Sequence, residues 1–141
     1  YVIDIRVGNE NLNERSATRR MIRKNHKNIG SFTGDGLHDN KDTFNLCEKY
    51  DIPTSIKMRD DCSEKTKKSP RRKQEVKIYK SMPYEEWYRE KDYGRRWTIT
   101  EGIFSACKRI MGEYVSATKK RNMYHAVKIK FWAYNQLQEI T

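Results

Sequence analysis

Two carboxylates stand where metal or phosphate chemistry could be built. Asp35 lies between Gly34 and Gly36, directly after a strand-like run, Ile29–Thr33. The carboxyl end of a strand in an α/β sheet is where sites are usually assembled, and flanking glycines would let the backbone turn and leave the carboxylate open to an ion. The same tripeptide also reads as an ordinary turn. Glu101 opens an amphipathic stretch in which Glu101, Ser105, Lys108 and Gly112 recur at helical spacing and so share one face. That arrangement could hold a metal beside a phosphate. It is equally what an acid at a helix N-terminus gains from the helix dipole. A third cluster is cationic: Lys65, Lys67, Lys68, Arg71, Arg72, Lys73, Lys77 and Lys80 crowd one segment, as a phosphate-contacting arm or a solvated face. The histidines His26, His38 and His125 are far apart and read as surface or partly satisfied residues, not ligands. Walker, zincin and hydrolase-elbow motifs are absent from the sequence.

The elements that must position these groups follow from periodicity. Tyr1–Val7 alternates, with Ile3, Ile5 and Val7 on one face, and predicts a half-buried strand. Asn13–Asn25 is Arg-rich and free of Pro and Gly, which predicts a surface helix. Ile29–Thr33 is a second strand candidate. A helix over Asn40–Lys49 follows, capped by Asp39 or Asn40. Ile52–Met58 is a third strand candidate, with Pro53 confined to its start. Residues 59–80 read as a basic loop, with a short strand candidate at Val76–Tyr79. From Tyr84 the pattern is helical. A helix capped by Thr100 runs from Glu101 to about Ala117 and carries Ile103, Phe104, Cys107, Ile110, Met111 and Tyr114. A last one, capped by Asn122, turns Met123, Ala126, Val127, Phe131, Tyr134 and Leu137 inward. The alternation predicts a mixed α/β domain, and a length of 141 residues predicts a single one, 1–141.

The chain carries 30 Lys and Arg against 19 Asp and Glu, a net charge of +11, which makes a polyanion the default partner. The basic residues are spread along the chain, unlike the concentrated amphipathic helix of a membrane-surface binder. No apolar run approaches the length of a membrane span. Three well-separated cysteines, Cys47, Cys62 and Cys107, fit neither a disulfide framework nor a CxxC site, so a reducing cytoplasm is expected.

The string Gly34-Asp35-Gly36-Leu37-His38-Asp39-Asn40, then a helix, then Ile52-Pro53-Thr54-Ser55-Ile56-Lys57-Met58-Arg59, resembles the second catalytic-Asp region of insertion-sequence DDE transposases. Further on, Tyr93-Gly94-Arg95-Arg96-Trp97, followed by the run from Glu101 through Phe104-Ser105, Lys108-Arg109 and Gly112-Glu113, is similar to their catalytic-Glu helix. Asn122-Met123 and residues 128–135 match the closing helix. The resemblance implies a ribonuclease-H-like α/β fold, a mixed sheet flanked by helices, here lacking its first strand and followed by C-terminal helices. It implies DNA transposition: metal-dependent cleavage and strand transfer at transposon ends. Asp35 and Glu101 would be the second and third carboxylates of the triad, holding two Mg²⁺ or Mn²⁺ ions. Arg96 and Lys108 would hold transposon-end phosphates, with Arg109 beside them and Tyr93 positioning DNA; Lys68, Arg71 and Arg72 of the basic loop would add contacts. The partner would be double-stranded DNA, bound by a homodimer, in the cytoplasm at the nucleoid.

Two departures stand out. Four residues separate Arg96 from Glu101 where the family pattern has three, and the first Asp of the triad would precede Tyr1. Asp4 is the nearest substitute, but beside Arg6 on the outer face of the alternating run it reads as structural. The sequence therefore predicts an N-terminally truncated catalytic domain, inactive by itself. The alternatives are a non-catalytic basic DNA-binding module, such as a decayed transposase remnant, and a partner-binding helical protein.

Overall fold

The computed structural model describes residues 2–9, 11–95, 97–112 and 114–140. Among these residues it is a mixed α/β structure, 60% helical, with one two-stranded parallel sheet and six α-helices. The chain divides into two compact units, Glu14–Arg96 and a second formed by Tyr1–Asn13 with Trp97–Thr141.

The first unit is built round a β-α-β turn of chain. Helix α1 (Glu14–Asn25) precedes strand β1 (Phe32–Gly34), helix α2 (Lys41–Lys49) and strand β2 (Thr54–Ile56). The strands pair in parallel, Phe32 opposite Thr54 and Gly34 opposite Ile56. Parallel neighbours need a crossover, and α2 supplies it. Asn40, one of the two caps that the sequence offers, caps α2: its Oδ1 accepts the Thr43 N–H at 3.0 Å. At the other end Asp51 takes the left-handed conformation (φ 53) and the Ile52 N–H returns to the Cys47 carbonyl at 2.8 Å, a turn that delivers the chain into β2.

Two apolar clusters flank the sheet. Ile22 of α1 meets Leu46, Cys47 and Ile52; Phe44, Ile56 and Met58 meet Val76; Phe32 packs against both. Burial pushes the Cys47 thiol up to about 11.

Residues 59–80 correct the expectation of a loop. Only the first part lacks regular structure; Pro70–Lys80 is helix α3, with Ser69 before it and Pro70 in its first turn, and Val76–Tyr79 is helical, not strand. Few apolar residues mark its inner face, because much of that face is ionic. Glu75 is buried with Val76, and Arg71 and Arg72 turn inward beside them. A helix buried through ion pairs carries little of the apolar period that reveals helices.

Helix α4 (Tyr84–Glu90) closes the unit through rings. Trp87 is buried against Tyr79, Tyr84 and Tyr93, with centroids 5.0, 5.8 and 5.2 Å away. Asp92, left-handed at φ 49, ends α4 and swings Tyr93 under Trp87.

In the second unit, residues 2–9 correct the expected strand. They are irregular, and Val2 and Ile5 pack inward while Ile3 is 65% exposed. No strand among the described residues pairs with this segment. The Asn135 side chain instead accepts the Val2 N–H at 2.8 Å and donates to its carbonyl.

Helix α5 (Gly102–Met111) is shorter than expected: a π-helical turn, Trp97–Glu101, precedes it, and Thr100 lies inside that turn instead of capping. Gly112, left-handed at φ 82, ends α5, a conformation that favours glycine. The Lys130 ammonium donates to the Gly112 and Tyr114 carbonyls at 2.9 and 2.8 Å, meeting the negative end of the helix. Helix α6 (Lys120–Ile140) begins two residues before the Asn122 cap that the sequence suggests. Cys107, Phe131 and Tyr134 are the buried centre; Phe104, Ile110 and Tyr114 of the predicted stripe are exposed, and Met123 and Leu137 are at the surface too.

Candidate functional site

Asp35 follows β1 directly, at the strand's carboxyl end, and is exposed. Its Oδ1 accepts the Leu37 N–H at 3.0 Å and so caps the short 3-10 turn Gly36–His38. The neighbouring glycines serve another purpose than the one the sequence suggests, since neither adopts a left-handed backbone. A Cβ on Gly34 would lie 2.8 Å from the His38 ring, so glycine there lets His38 fold back over the end of the strand. The ring meets Phe32 edge-on, with centroids 5.5 Å apart. Burial lowers the His38 pKa; the Asp35 charge opposes that shift and only partly offsets it.

Four residues on, Asp39 is buried and forked by Arg72, with Nε–Oδ1 at 2.8 Å and Nη2–Oδ2 at 3.2 Å. The Arg59 N–H adds a bond to Oδ2 at 3.1 Å. Nη1 of Arg72 donates to Thr66 Oγ1 at 2.6 Å. This fork ties the segment after β1 to both ends of the basic run. Asp39 is thus a latch that fixes the backbone carrying Asp35. Its partner was legible only as one more basic residue.

The remaining residues singled out from the sequence divide by environment. Arg71 donates to the Ile52 carbonyl at 3.0 Å, with Glu75 3.8 Å away. Tyr93 is buried among Trp87 and Tyr88. Lys68 is exposed and left-handed (φ 59), and its carbonyl accepts from Asn45 Nδ2 at 3.2 Å. Lys108 and Arg109 are exposed in the last turn of α5. Glu101 is exposed where the π-helical turn meets α5, and its side chain caps nothing there. Arg96 and Glu113 lie outside the described residues. Asp35 and Glu101 belong to separate units. Among the described residues, no three His, Cys, Asp or Glu side chains gather as a metal-binding set.

One arrangement escapes sequence reading. A cleft of about 350 Å³ opens beside the sheet, lined by Thr33, Ser55, Arg71, Glu75, Lys91 and Arg95 among others. At its floor Lys91 meets Glu75 at 2.6 Å and the Thr54 carbonyl at 3.5 Å, while Ser55 donates to the Lys91 carbonyl at 2.6 Å. The Arg71–Glu75 spacing of four was the available signal. Arg71 and Lys91 both pair with Glu75 there, so this part of the cleft is organised for cohesion of α3, β2 and the end of α4.

No family model, curated protein or solved structure matches the chain. No helix among the described residues is long and apolar enough to cross a membrane.

Proposed function

We propose that the chain is part of a DNA strand-transfer nuclease of the insertion-sequence DDE type, with a ribonuclease-H-like catalytic fold. The observation that carries this reading is the exposed carboxylate of Asp35 at the carboxyl end of a strand in a parallel β-α-β unit. A latch on Asp39 fixes the backbone behind it. Glu101, exposed at the head of α5 with Lys108 two turns on, is the second carboxylate of the reading.

Each group offers carboxylate oxygen, the donor that a hard divalent cation prefers, and Asp35 has one oxygen already oriented by the Leu37 N–H. Such ions supply charge neutralisation at the attacking and leaving oxygens of a phosphoryl transfer. The chain's own residues hold and orient them, and its net charge of +11 gathers DNA. In this reading the enzyme works as a homodimer on double-stranded DNA.

The test uses the longest gene product that carries residues 1–141, with supercoiled and transposon-end DNA. Asp35→Ala and Glu101→Ala are each expected to abolish Mg²⁺- or Mn²⁺-dependent cutting and to leave duplex binding intact. Cutting at the parental rate by either variant would sink the assignment. A second reading, a basic DNA-binding module without catalysis, draws on the absence of a three-carboxylate cluster among the described residues. It predicts duplex binding that depends on total salt and is indifferent to divalent ions.

A further inference from the structure

A second cationic surface of the first unit lies on α1. Helix α1 carries Arg15, Arg19, Arg20, Arg23 and Lys24 against a single acid, Glu14, while its apolar side, Ala17 and Ile22, faces inward. Arg19 and Arg23 are four apart and so stand one turn above the other on the same face. They form one wall of a groove of about 470 Å³ whose other wall is α2, through Asp42, Asn45, Leu46 and Lys49. Ile22 packing on Leu46 and Cys47 fixes the two helices against each other, so the walls are rigid.

Three features suit the groove to an anion. Arg19, Arg23 and Lys49 make no ion pair among the described residues, although Asp42 lines the same groove. Like charges stacked at this helical spacing repel, by a few tenths of a kcal/mol in an isolated helix, and a bound anion relieves that cost. Asn45 reaches across to the Lys68 carbonyl and so pins a further exposed cation near the α2 wall, in a left-handed conformation uncommon for lysine.

We infer that the α1–α2 groove seats the phosphodiester backbone of duplex DNA. Guanidinium forks suit phosphate oxygens. The groove lining contains no aromatic ring, so the stacking platform that single strands require is missing, and recognition rests on phosphate alone. The inference depends on DNA being the partner, as in the function proposed above, but not on metal binding by Asp35 or Glu101.

The experiment measures duplex affinity by fluorescence anisotropy in EDTA, where cutting does not contribute, over a series of salt concentrations. Arg19→Ala/Arg23→Ala is compared with Lys77→Ala/Lys80→Ala, which removes the same charge from exposed positions of α3. The groove variant is expected to lose at least about tenfold in affinity at 0.1 M salt and about 2 from the slope of log K against log salt; the α3 variant should lose less than about threefold. Lys49→Glu, from the opposite wall, is expected to weaken binding in the same sense, and is read in place of the double variant should that one fail to melt cooperatively. Equal losses for both helices would overturn the groove in favour of diffuse attraction. Parental affinity in the groove variants, or no duplex binding by the parent, would overturn it outright. Groove-dependent binding by a protein that never cuts would leave the inference standing and remove the nuclease reading.

Discussion

Helices α1 and α3 look alike in sequence, short and crowded with basic residues, yet their arginines face opposite tasks. Arg71 and Arg72 of α3 are drawn into the fold, onto the Ile52 carbonyl and the buried Asp39 carboxylate. Arg19 and Arg23 of α1 line an open groove. The difference comes from what lies beneath each helix. Below α1, Ala17 and Ile22 seal the contact and leave its cations outside. Below α3 the apolar contact is Val76, fully buried, with half-buried Tyr79, and the ion pairs of Arg71, Arg72 and Glu75 share the interface. A basic residue in a sequence is therefore an amount of charge whose availability the packing decides.

The largest effect that could break this contrast is at Arg72. Arg72→Met should leave the Asp39 carboxylate buried with only the Arg59 N–H, at a cost on the order of 3–5 kcal/mol. Urea unfolding measures it. Adding Asp39→Asn should recover part of the loss, because the unpaired charge is then gone. A variant that unfolds like the parent but binds DNA poorly would reverse the roles given to the two helices.

A smaller cost is expected at the cap of α2. Asn40→Ala removes the acceptor for the Thr43 N–H and should cost about 1 kcal/mol. Since α2 forms one wall of the groove, the same variant asks whether DNA affinity follows the stability of the wall. Parental stability would mean that the cap is replaced by water. Arg19→Ala/Arg23→Ala should then shift stability by less than about 0.5 kcal/mol, the ordinary range for surface changes. A larger loss would show that these arginines hold the fold as those of α3 do.

The contrast also explains which parts of the molecule were legible in the sequence. Elements fixed by local chemistry are legible: α1, a cap of α2 at Asp39 or Asn40, both strands of the sheet within a few residues, and Asp35 at a strand end. Residues 70–80 look like a loop in the sequence because a helix buried largely on Arg72 and Glu75 carries little apolar period. Residues 2–9 alternate as a strand would, but a strand also needs a neighbour, and alternation cannot supply one. Helix α5 is shorter than its periodicity suggests because Gly112, which fits the helical face by spacing, ends the helix with a left-handed backbone. At the candidate site, the position of Asp35 followed from the strand, whereas the Asp39–Arg72 latch joins residues 33 apart and left no local mark.

The smallest effect is a pH dependence beside the latch. Burial lowers the His38 pKa below its ordinary 6.5, with Asp35 and Glu14 pulling upward and Arg15 downward. The folded protein thus holds the ring neutral at a pH where the unfolded chain has begun to protonate it. Between the unfolded value and the lower folded one, the unfolded state binds more protons, so stability rises with pH across that window. Going from pH 7.5 to 5, His38 should subtract stability as the pH falls through about 6.5, levelling off below the folded pKa. The measurement is the urea midpoint of the parent minus that of His38→Gln, point by point in pH, since carboxylates common to both proteins cancel. A difference that falls toward acid places a neutral ring against Phe32. A flat or rising difference would mean that the Asp35 charge outweighs burial. The turn after β1 would then hold a carboxylate-imidazolium pair, ionic like the inner side of α3.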